Sequence, residues 1–212
     1  IKFTGVNPEK ITVTLESADE LPKGNEPVDE LIGKKFIMYI GRPTPHKNLR
    51  RLIDAFALLQ KKYPDLTLAL AGKKDSNYAR HETYVNEHRI KNVVFTGFIS
   101  DEQLRWMYEN TAVYCFPSLS EGFGLPGLEA MLHGAPVASS TATCLPETHG
   151  DAAHYFDPFS VEDIAKSIDD ILSDDKLRNE LVKKGKKHVK TFSWQRMAEQ
   201  TLAVYEKYGR KS

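Results

Sequence analysis

The sequence predicts an α/β fold, a parallel β-sheet flanked by helices with extra helices at the C-terminal end, and three observations carry that expectation. Short runs rich in β-branched and aromatic residues alternate with amphipathic helical runs as far as Phe156, the signature of strands joined by crossover helices. Glycine follows successive apolar runs, at Gly41, Gly72 and Gly97, leaving room along one edge of the sheet. From Val161 onward the pattern turns wholly helical, with no apolar run of strand type between the segments.

In chain order, the expected strands are 11–15, 36–41, 66–71, 93–96, 112–116, 137–139 and 153–156. Asn48 is expected to cap a helix through Lys62, whose apolar stripe is Leu49, Leu52, Ile53, Phe56 and Leu59; Pro64 follows its end. Further helices are expected over 79–89, 101–109 and 125–133, the last closed by Gly134. Helices over 161–172, 175–191 and 193–208 complete the chain, with Asp174 or Asp175 and Ser193 as candidate caps. The stripe Met197, Leu202, Val204 and Tyr205 predicts packing against the core, or docking on a neighbouring domain. The stretch from Pro22 to Val28, with Gly24 and Pro27, reads as a loop.

Composition limits the functional classes. The 212 residues include 29 Lys plus Arg and 29 Asp plus Glu, so no global basic field of the kind nucleic-acid binding uses is present, and any anion site must be local. No apolar stretch approaches the roughly 20 residues that span a bilayer, and no signal-peptide pattern opens the chain. Cys115 and Cys144 lack metal-ligand spacing, and they read as small hydrophobes in a reducing compartment. The chain starts at Ile1 with a strand expected almost at once, which suggests a fragment of something longer.

The most informative run is Ser120-Glu-Gly-Phe-Gly-Leu-Pro-Gly-Leu-Glu-Ala-Met131. Glu121 precedes a glycine-rich turn, and Glu129 lies eight residues on, inside a new helix flanked by Leu125, Leu128 and Leu132. Gly122 and Gly124 let backbone approach a ligand, Pro126 suits a first helical turn, and the free N–H groups around Gly124 and Leu125 can face an anion. A phosphate at the helix start, with a carboxylate on each side to accept hydroxyl hydrogen bonds, describes a polyhydroxylated, phosphorylated ligand. Each glutamate alone also reads as a solvated residue near a helix N-terminus; the strand-turn-helix setting after Ala112-Val-Tyr-Cys-Phe116 separates the two readings.

A second cluster follows the strand Phe36-Ile-Met-Tyr-Ile40: Gly41, Arg42, His46, Lys47 and Asn48. Arg42 offers a planar fork and Lys47 a flexible point charge, two complementary ways to hold a diphosphate. Lys73 follows a third strand, and Gly97 to Ile99 follow a fourth, where a nucleobase has room to lie against backbone groups.

Competing chemistries fit less well. Gly122-x-Gly124-x-x-Gly127 matches the dinucleotide fingerprint, but it falls past mid-chain, Pro117-Ser-Leu-Ser-Glu121 intervenes after the strand, and no acidic residue ends the next strand. An NAD(P)-dependent enzyme is therefore the weakest alternative. There is no Asp-x-Asp pair, no His-Glu-x-x-His, no Gly-x-Ser-x-Gly and no phosphate-binding Gly-x4-Gly-Lys-Ser/Thr loop. The seven histidines are scattered without ligand spacing, so no metal is expected; His149 is the one expected nearest the site.

These residues together resemble the C-terminal, donor-binding domain of the retaining GT-B glycosyltransferases of family 4, the glycosyl transferases group 1. The matching text comprises Tyr39-Ile-Gly-Arg42 with Lys47-Asn48, Leu68-Ala-Leu-Ala-Gly72, Val94-Phe-Thr-Gly97, Asp101-Glu-Gln-Leu104, Pro117 to Pro126, Glu129-Ala-Met131, Gly134-Ala-Pro-Val137 and Leu145-Pro-Glu147, all in family order and spanning roughly 11–205. The resemblance implies a Rossmann-like sheet forming the C-terminal half of a GT-B fold, and one nucleotide-sugar-binding domain over 1–212 with a leader at 1–10 and a crossover helix at 193–212.

It further implies a UDP-sugar or GDP-sugar donor, no cofactor and no metal, with transfer of a mannosyl, glucosyl or N-acetylglucosaminyl group to a glycan or lipid-linked acceptor. Arg42 and Lys47 would bind the diphosphate and stabilise the leaving group. Glu121, with Gly122 and the amides of Phe123 and Gly124, would hold the transferred sugar; Leu125 N–H would assist the phosphate; Glu129 would bind ribose; and Gly41, Lys73, Gly97 and Ile99 would border the nucleotide. Family members also carry an N-terminal acceptor-binding domain, to which nothing in this sequence corresponds. The expectation is an excised half enzyme in a cytoplasmic setting, with peripheral association at the inner membrane surface through that missing domain left open. A non-catalytic nucleotide-sugar-binding module is the alternative. Leu15 to Asp19 matches the family's first-strand exit only loosely.

Overall fold

The computed structural model describes residues 5–24 and 26–209. Residues 1–4 of the expected leader, Asn25 of the expected loop and residues 210–212 of the last segment lie outside the described residues. Six strands form one parallel sheet: β1 (Phe36–Ile40), β2 (Thr67–Ala71), β3 (Val93–Gly97), β4 (Val113–Phe116), β5 (Val137–Ser140) and β6 (Ala153–Phe156), in the spatial order β3-β2-β1-β4-β5-β6. The helices are α1 (Leu49–Leu59), α2 (Ser76–Glu87), α3 (Asp101–Asn110), α4 (Leu125–Leu132), α5 (Leu145–His149), α6 (Val161–Ser173), α7 (Asp175–His188) and α8 (Trp194–Tyr208).

The central strands β1, β2 and β4 are almost wholly apolar because both faces of the sheet are covered there, and alternation within a strand assigns residues to one side or the other. On β1, Ile37 and Tyr39 join the cluster beneath α1 and α6, with Leu52, Phe56, Ile164 and Ile168. Phe36 and Met38 join the opposite cluster with Tyr108 of α3 and Leu128 and Met131 of α4. Side-chain caps begin most of the longer helices. Asp75 Oδ1 accepts from the N–H groups of Asn77 and Tyr78 at the start of α2, Ser100 forms a capping box with Gln103 at α3, and Ser160, Asp174 and Ser193 cap α6, α7 and α8.

Four expectations are corrected. Residues 11–15 form no strand: Ile11, Val13 and Leu15 are exposed, because alternation without a partner edge supplies no ladder hydrogen bonds. The short helix α5 follows β5 where only a motif was recognised. The seventh helix stops at His188, and a 3₁₀ turn over Val189–Thr191 carries the chain on. The stripe Met197, Leu202, Val204 and Tyr205 is not packed against a core, since α8 has no buried residue and Leu202 and Tyr205 stand in solvent.

The Asn48 cap is also different from expectation. Its backbone is left-handed (φ 60°), and its side chain satisfies no helix N–H. The buried Nδ2 instead donates to the carbonyls of Pro117 (3.0 Å) and Pro158 (2.8 Å), while Oδ1 accepts from Arg51 (2.9 Å). One side chain thus joins the loop after β1 to the loops after β4 and β6.

Asn48→Ala is expected to lower unfolding free energy by about 2–4 kcal/mol, from two buried carbonyls losing their donor and a left-handed alanine. Asn48→Gly should recover about 1 kcal/mol of that by relieving the backbone alone. Urea midpoints of the three proteins measure both effects.

Candidate functional site

The strand order reverses direction between β1 and β4, so the crossovers leaving these neighbours diverge and open a crevice above their carboxyl ends. The two glycine-containing clusters meet there. Lys47 Nζ lies 2.7 Å from Glu121 Oε1, with both side chains mostly shielded, and Leu119 N–H donates to the His46 carbonyl at 2.7 Å. A cation from the β1 loop and a carboxylate from the β4 loop, 74 residues apart in sequence, form one charged pair.

On the β1 side of this pair, over the ends of β1, β2 and β3, lies a cleft of about 560 Å³ lined by Gly41, Arg42, Gly72, Lys73, Asp75, Phe98 and Ile99. Gly97, at φ 76°, makes the turn that places Phe98 and Ile99 on its rim. Phe98 is 84% exposed, a large apolar ring with no packing of its own. Arg42 is anchored to Asp75 at 3.3 Å, yet its side chain remains 77% exposed. The α2 N-terminal amides hold the Asp75 carboxyl below its usual range, and Arg42 adds to that effect. Crowding dictates two glycines here. A Cβ at Gly41 would lie 2.8 Å from the Tyr39 hydroxyl, and one at Gly72 would lie 2.5 Å from the Gly41 carbonyl. Tyr78 Oη, donating to the carbonyls of Ala71 (2.7 Å) and Gly41 (3.0 Å), keeps this rim in place.

On the β4 side lies a second cleft, about 640 Å³, lined by Gly122, Phe123, Cys144, Glu147 and Thr148, with Val13 to Glu16 and Phe192 closing it. Residues 13–16, at the junction of the expected strand and the loosely matching segment, therefore lie against the turn although no strand forms. Gly124 is left-handed (φ 103°) and serves as N-cap of α4, leaving the N–H groups at the turn without side-chain caps. Open space surrounds the Cα of Gly122, so nothing inside the chain requires glycine there; its missing side chain matters only to something approaching from outside. Thr143, itself left-handed, pins the backbone of Glu121: Oγ1 accepts from Glu121 N–H at 3.0 Å and donates to the Glu121 carbonyl at 3.3 Å.

His149 holds the turn from below. It is fully buried, with Nε2 3.2 Å from the Gly124 carbonyl and Nδ1 3.2 Å from Ser139 Oγ. A Cβ on Gly127 would come within 2.2 Å of Nε2, so the third glycine of the fingerprint-like run exists to admit this ring. Glu129 is half-buried and accepts from the Tyr108 hydroxyl at 3.3 Å. Burial raises its pKa; the Tyr108 bond pulls the other way, and Asp101 and Asp19 push it further up.

The structure thus brings Lys47, Glu121, Phe123, Gly124 and Leu125 to the crevice, places Gly41, Arg42, Lys73, Gly97 and Ile99 around the first cleft, and sets Glu129 one helical turn below the loop. Sequence reasoning did not find Asp75, Tyr78, Thr143 or the second role of Asn48. Among the described residues no three His, Cys, Asp or Glu side chains converge as metal ligands, and no helix is long and apolar enough to cross a membrane.

Comparison with known proteins agrees with this geometry. The family described as "Glycosyl transferases group 1" matches residues 24–188. The chain belongs to that glycosyltransferase family. It is 35% identical over 182 residues to the O-antigen chain mannosyltransferase B of Escherichia coli, covering 84% of this chain and 47% of the relative. The sucrose-phosphate synthase of Thermosynechococcus elongatus superposes with a TM-score of 0.74 at 29% identity, over 82% of this chain and 45% of that one. Anabaena HepE, in complex with UDP and glucose, shares the fold with a TM-score of 0.73 at 22% identity, over 84% of this chain and 49% of its own. The chain spans about half the length of the curated relatives it matches. The expected Rossmann-like parallel sheet with C-terminal helices, matching GT-B glycosyltransferase neighbours, is thereby established for this chain.

Burial holds the His149 pKa down at about 4, against an ordinary value of 6.5. A depressed folded pKa gives stability that is complete above 6.5 and lost as pH falls toward 4, because the unfolded chain takes up the proton first. Lowering pH from 7 to 5 should therefore cost roughly 2 kcal/mol through this residue. His81 and His133, also lowered by burial, act in the same direction. In His149→Gln the loss between these two pH values, read from urea midpoints, should shrink by that amount.

Proposed function

We propose that this chain is the donor-binding half of a retaining, metal-independent hexosyltransferase that uses a nucleoside diphosphate sugar, with mannose as the favoured sugar. The observation that carries the reading is the Lys47–Glu121 pair, which sets a phosphate-binding cation against a sugar-hydroxyl acceptor at the point where the sheet changes direction. Without ligand the two satisfy each other. With donor bound, the diphosphate takes the ammonium and a sugar hydroxyl takes the carboxylate, so binding exchanges partners instead of stripping an unpaired charge.

In this reading Arg42 and Lys47 face the diphosphate, where negative charge develops as the glycosidic bond to phosphate breaks, and they stabilise it there. The amides of Phe123, Gly124 and Leu125 supply fixed donors at the start of α4. Glu129 accepts from ribose hydroxyls, and the nucleobase lies in the first cleft beside Lys73, Gly97 and Ile99. The mannosyltransferase relative supports the choice of sugar, and the UDP complex of HepE supports a nucleotide-sugar donor. We assign acceptor binding to a domain outside these residues, because the curated relatives are about twice as long. A cytoplasmic setting accords with this reading, since nucleotide sugars are the substrate.

Calorimetric titration of UDP- and GDP-sugars in the presence of a chelator tests the proposal. Binding should persist without metal, and Arg42→Ala or Lys47→Ala should each weaken it by about 1.5–3 kcal/mol, the range for a hydrogen bond to a charged group. Failure of every nucleoside diphosphate to bind would overturn the assignment.

A further inference from the structure

The helix α7 and the 3₁₀ turn that continues it carry a charge pattern that the donor site does not use. Lys183, Lys186, Lys187 and Lys190 fall at i, i+3, i+4 and i+7, so they share one face, opposite the buried positions Leu181, Gly185 and Val189. All four are exposed, and none makes an ion pair with a carboxylate among the described residues. Arg196 folds back over the same segment, donating to the Thr191 carbonyl. From Leu181 to Ala198 there is no Asp or Glu, in a chain whose 29 basic and 29 acidic residues cancel as a whole.

Like charges at this spacing repel and oppose helix formation. Complementing the helix macrodipole explains cations in the last turn, where Lys186 and Lys187 lie. It does not explain Lys183, further from the end, or the missing counter-charges. The pattern makes sense if the counter-charge lies outside the chain.

We infer that this lysine face docks the protein on an anionic lipid bilayer surface. Four flexible point charges in a row, with no guanidinium fork among them, suit attraction to a diffuse surface potential more than recognition of individual groups. Stacking rings of the kind single-stranded nucleic acid needs are absent from the stripe, and the nearby Phe192 is engaged with Phe123 (5.9 Å between ring centres) and His188 (5.3 Å). Lys190, at the end of the stripe, stands two residues before Phe192, whose ring meets Phe123 of the glycine turn. The inference does not rest on the donor assignment.

The test is sedimentation of the full chain with vesicles. It should bind phosphatidylglycerol–phosphatidylcholine vesicles at low salt, release them at high salt, and ignore pure phosphatidylcholine. The combined change Lys183→Gln, Lys186→Gln, Lys187→Gln and Lys190→Gln should lower partitioning by about two orders of magnitude or more, at roughly fivefold per lysine. The same charge change at the exposed Lys23, Lys34, Lys61 and Lys91 should leave it within about threefold of wild type. Circular dichroism melting confirms folding; should the quadruple variant not fold, Lys183→Gln with Lys190→Gln is expected to lose about 25-fold. Equal losses in both quadruple variants, no preference for anionic vesicles, or binding of single-stranded RNA in place of vesicles would each overturn the proposal.

Discussion

The constraint on which the site depends is the fastening of two loops that the strand order would otherwise let diverge. Crossovers leaving β1 and β4 go to opposite faces of the sheet, and the crevice between them is open by topology. Three contacts set its width: the Asn48 amide on the Pro117 carbonyl, the Leu119 N–H on the His46 carbonyl, and the Lys47–Glu121 ion pair. The first two use backbone carbonyls that need a donor in any case. They would hold the gap when the proposed donor exchanges the third, so that an exchangeable ion pair sits in a rigid frame.

Local pattern made the elements legible, and long-range pairing is where it stopped. Strands such as 66–71 and 112–116 were readable because sheets covered on both faces demand continuous apolar runs. The same alternation in 11–15 misled, because nothing in those five residues says whether a partner edge exists. Asn48 shows a similar ambiguity. Its letter before an apolar helix is the signature of a cap, but a left-handed backbone turns the side chain away from the helix and toward carbonyls from 69 and 110 residues downstream. The charged residues of the candidate site, Arg42, Lys47, Glu121 and Glu129, were legible from residue type and position after strands. Residues that hold them from behind, Thr143, Tyr78 and Ser139, were not, since a hydroxyl in a loop carries no signature of its own.

The two glutamates of the turn are electrostatically unlike. Glu121 has a full cationic partner, so its charge is matched before any ligand arrives. Glu129 has only a phenol, and burial raises its pKa, which means that ionising it costs the folded protein something at neutral pH. The sign is the reverse of the usual carboxylate: its contribution to stability is greatest at acid pH and declines as pH rises through the raised value. A ligand hydroxyl donating to Glu129 would supply the second hydrogen bond that this half-buried carboxylate lacks. One neutralised and one underserved carboxylate would suit the proposed donor, which carries both an anion and free hydroxyls.

The run Gly122-x-Gly124-x-x-Gly127 shows why a motif is only as informative as the contact behind each letter. In a dinucleotide fold the third glycine allows close helix–strand packing. Here it makes space for an imidazole, and that imidazole in turn holds the carbonyl of the second glycine. With Gly124 O engaged by both His149 and the Gly127 N–H, the turn is held from below. Because burial holds its pKa near 4, His149 stays uncharged at neutral pH and adds no cation beneath the turn. The positive side of the site is left to Arg42 and Lys47, on the far loop, and the diphosphate of the proposed donor would have to bridge the crevice to reach both them and the amides.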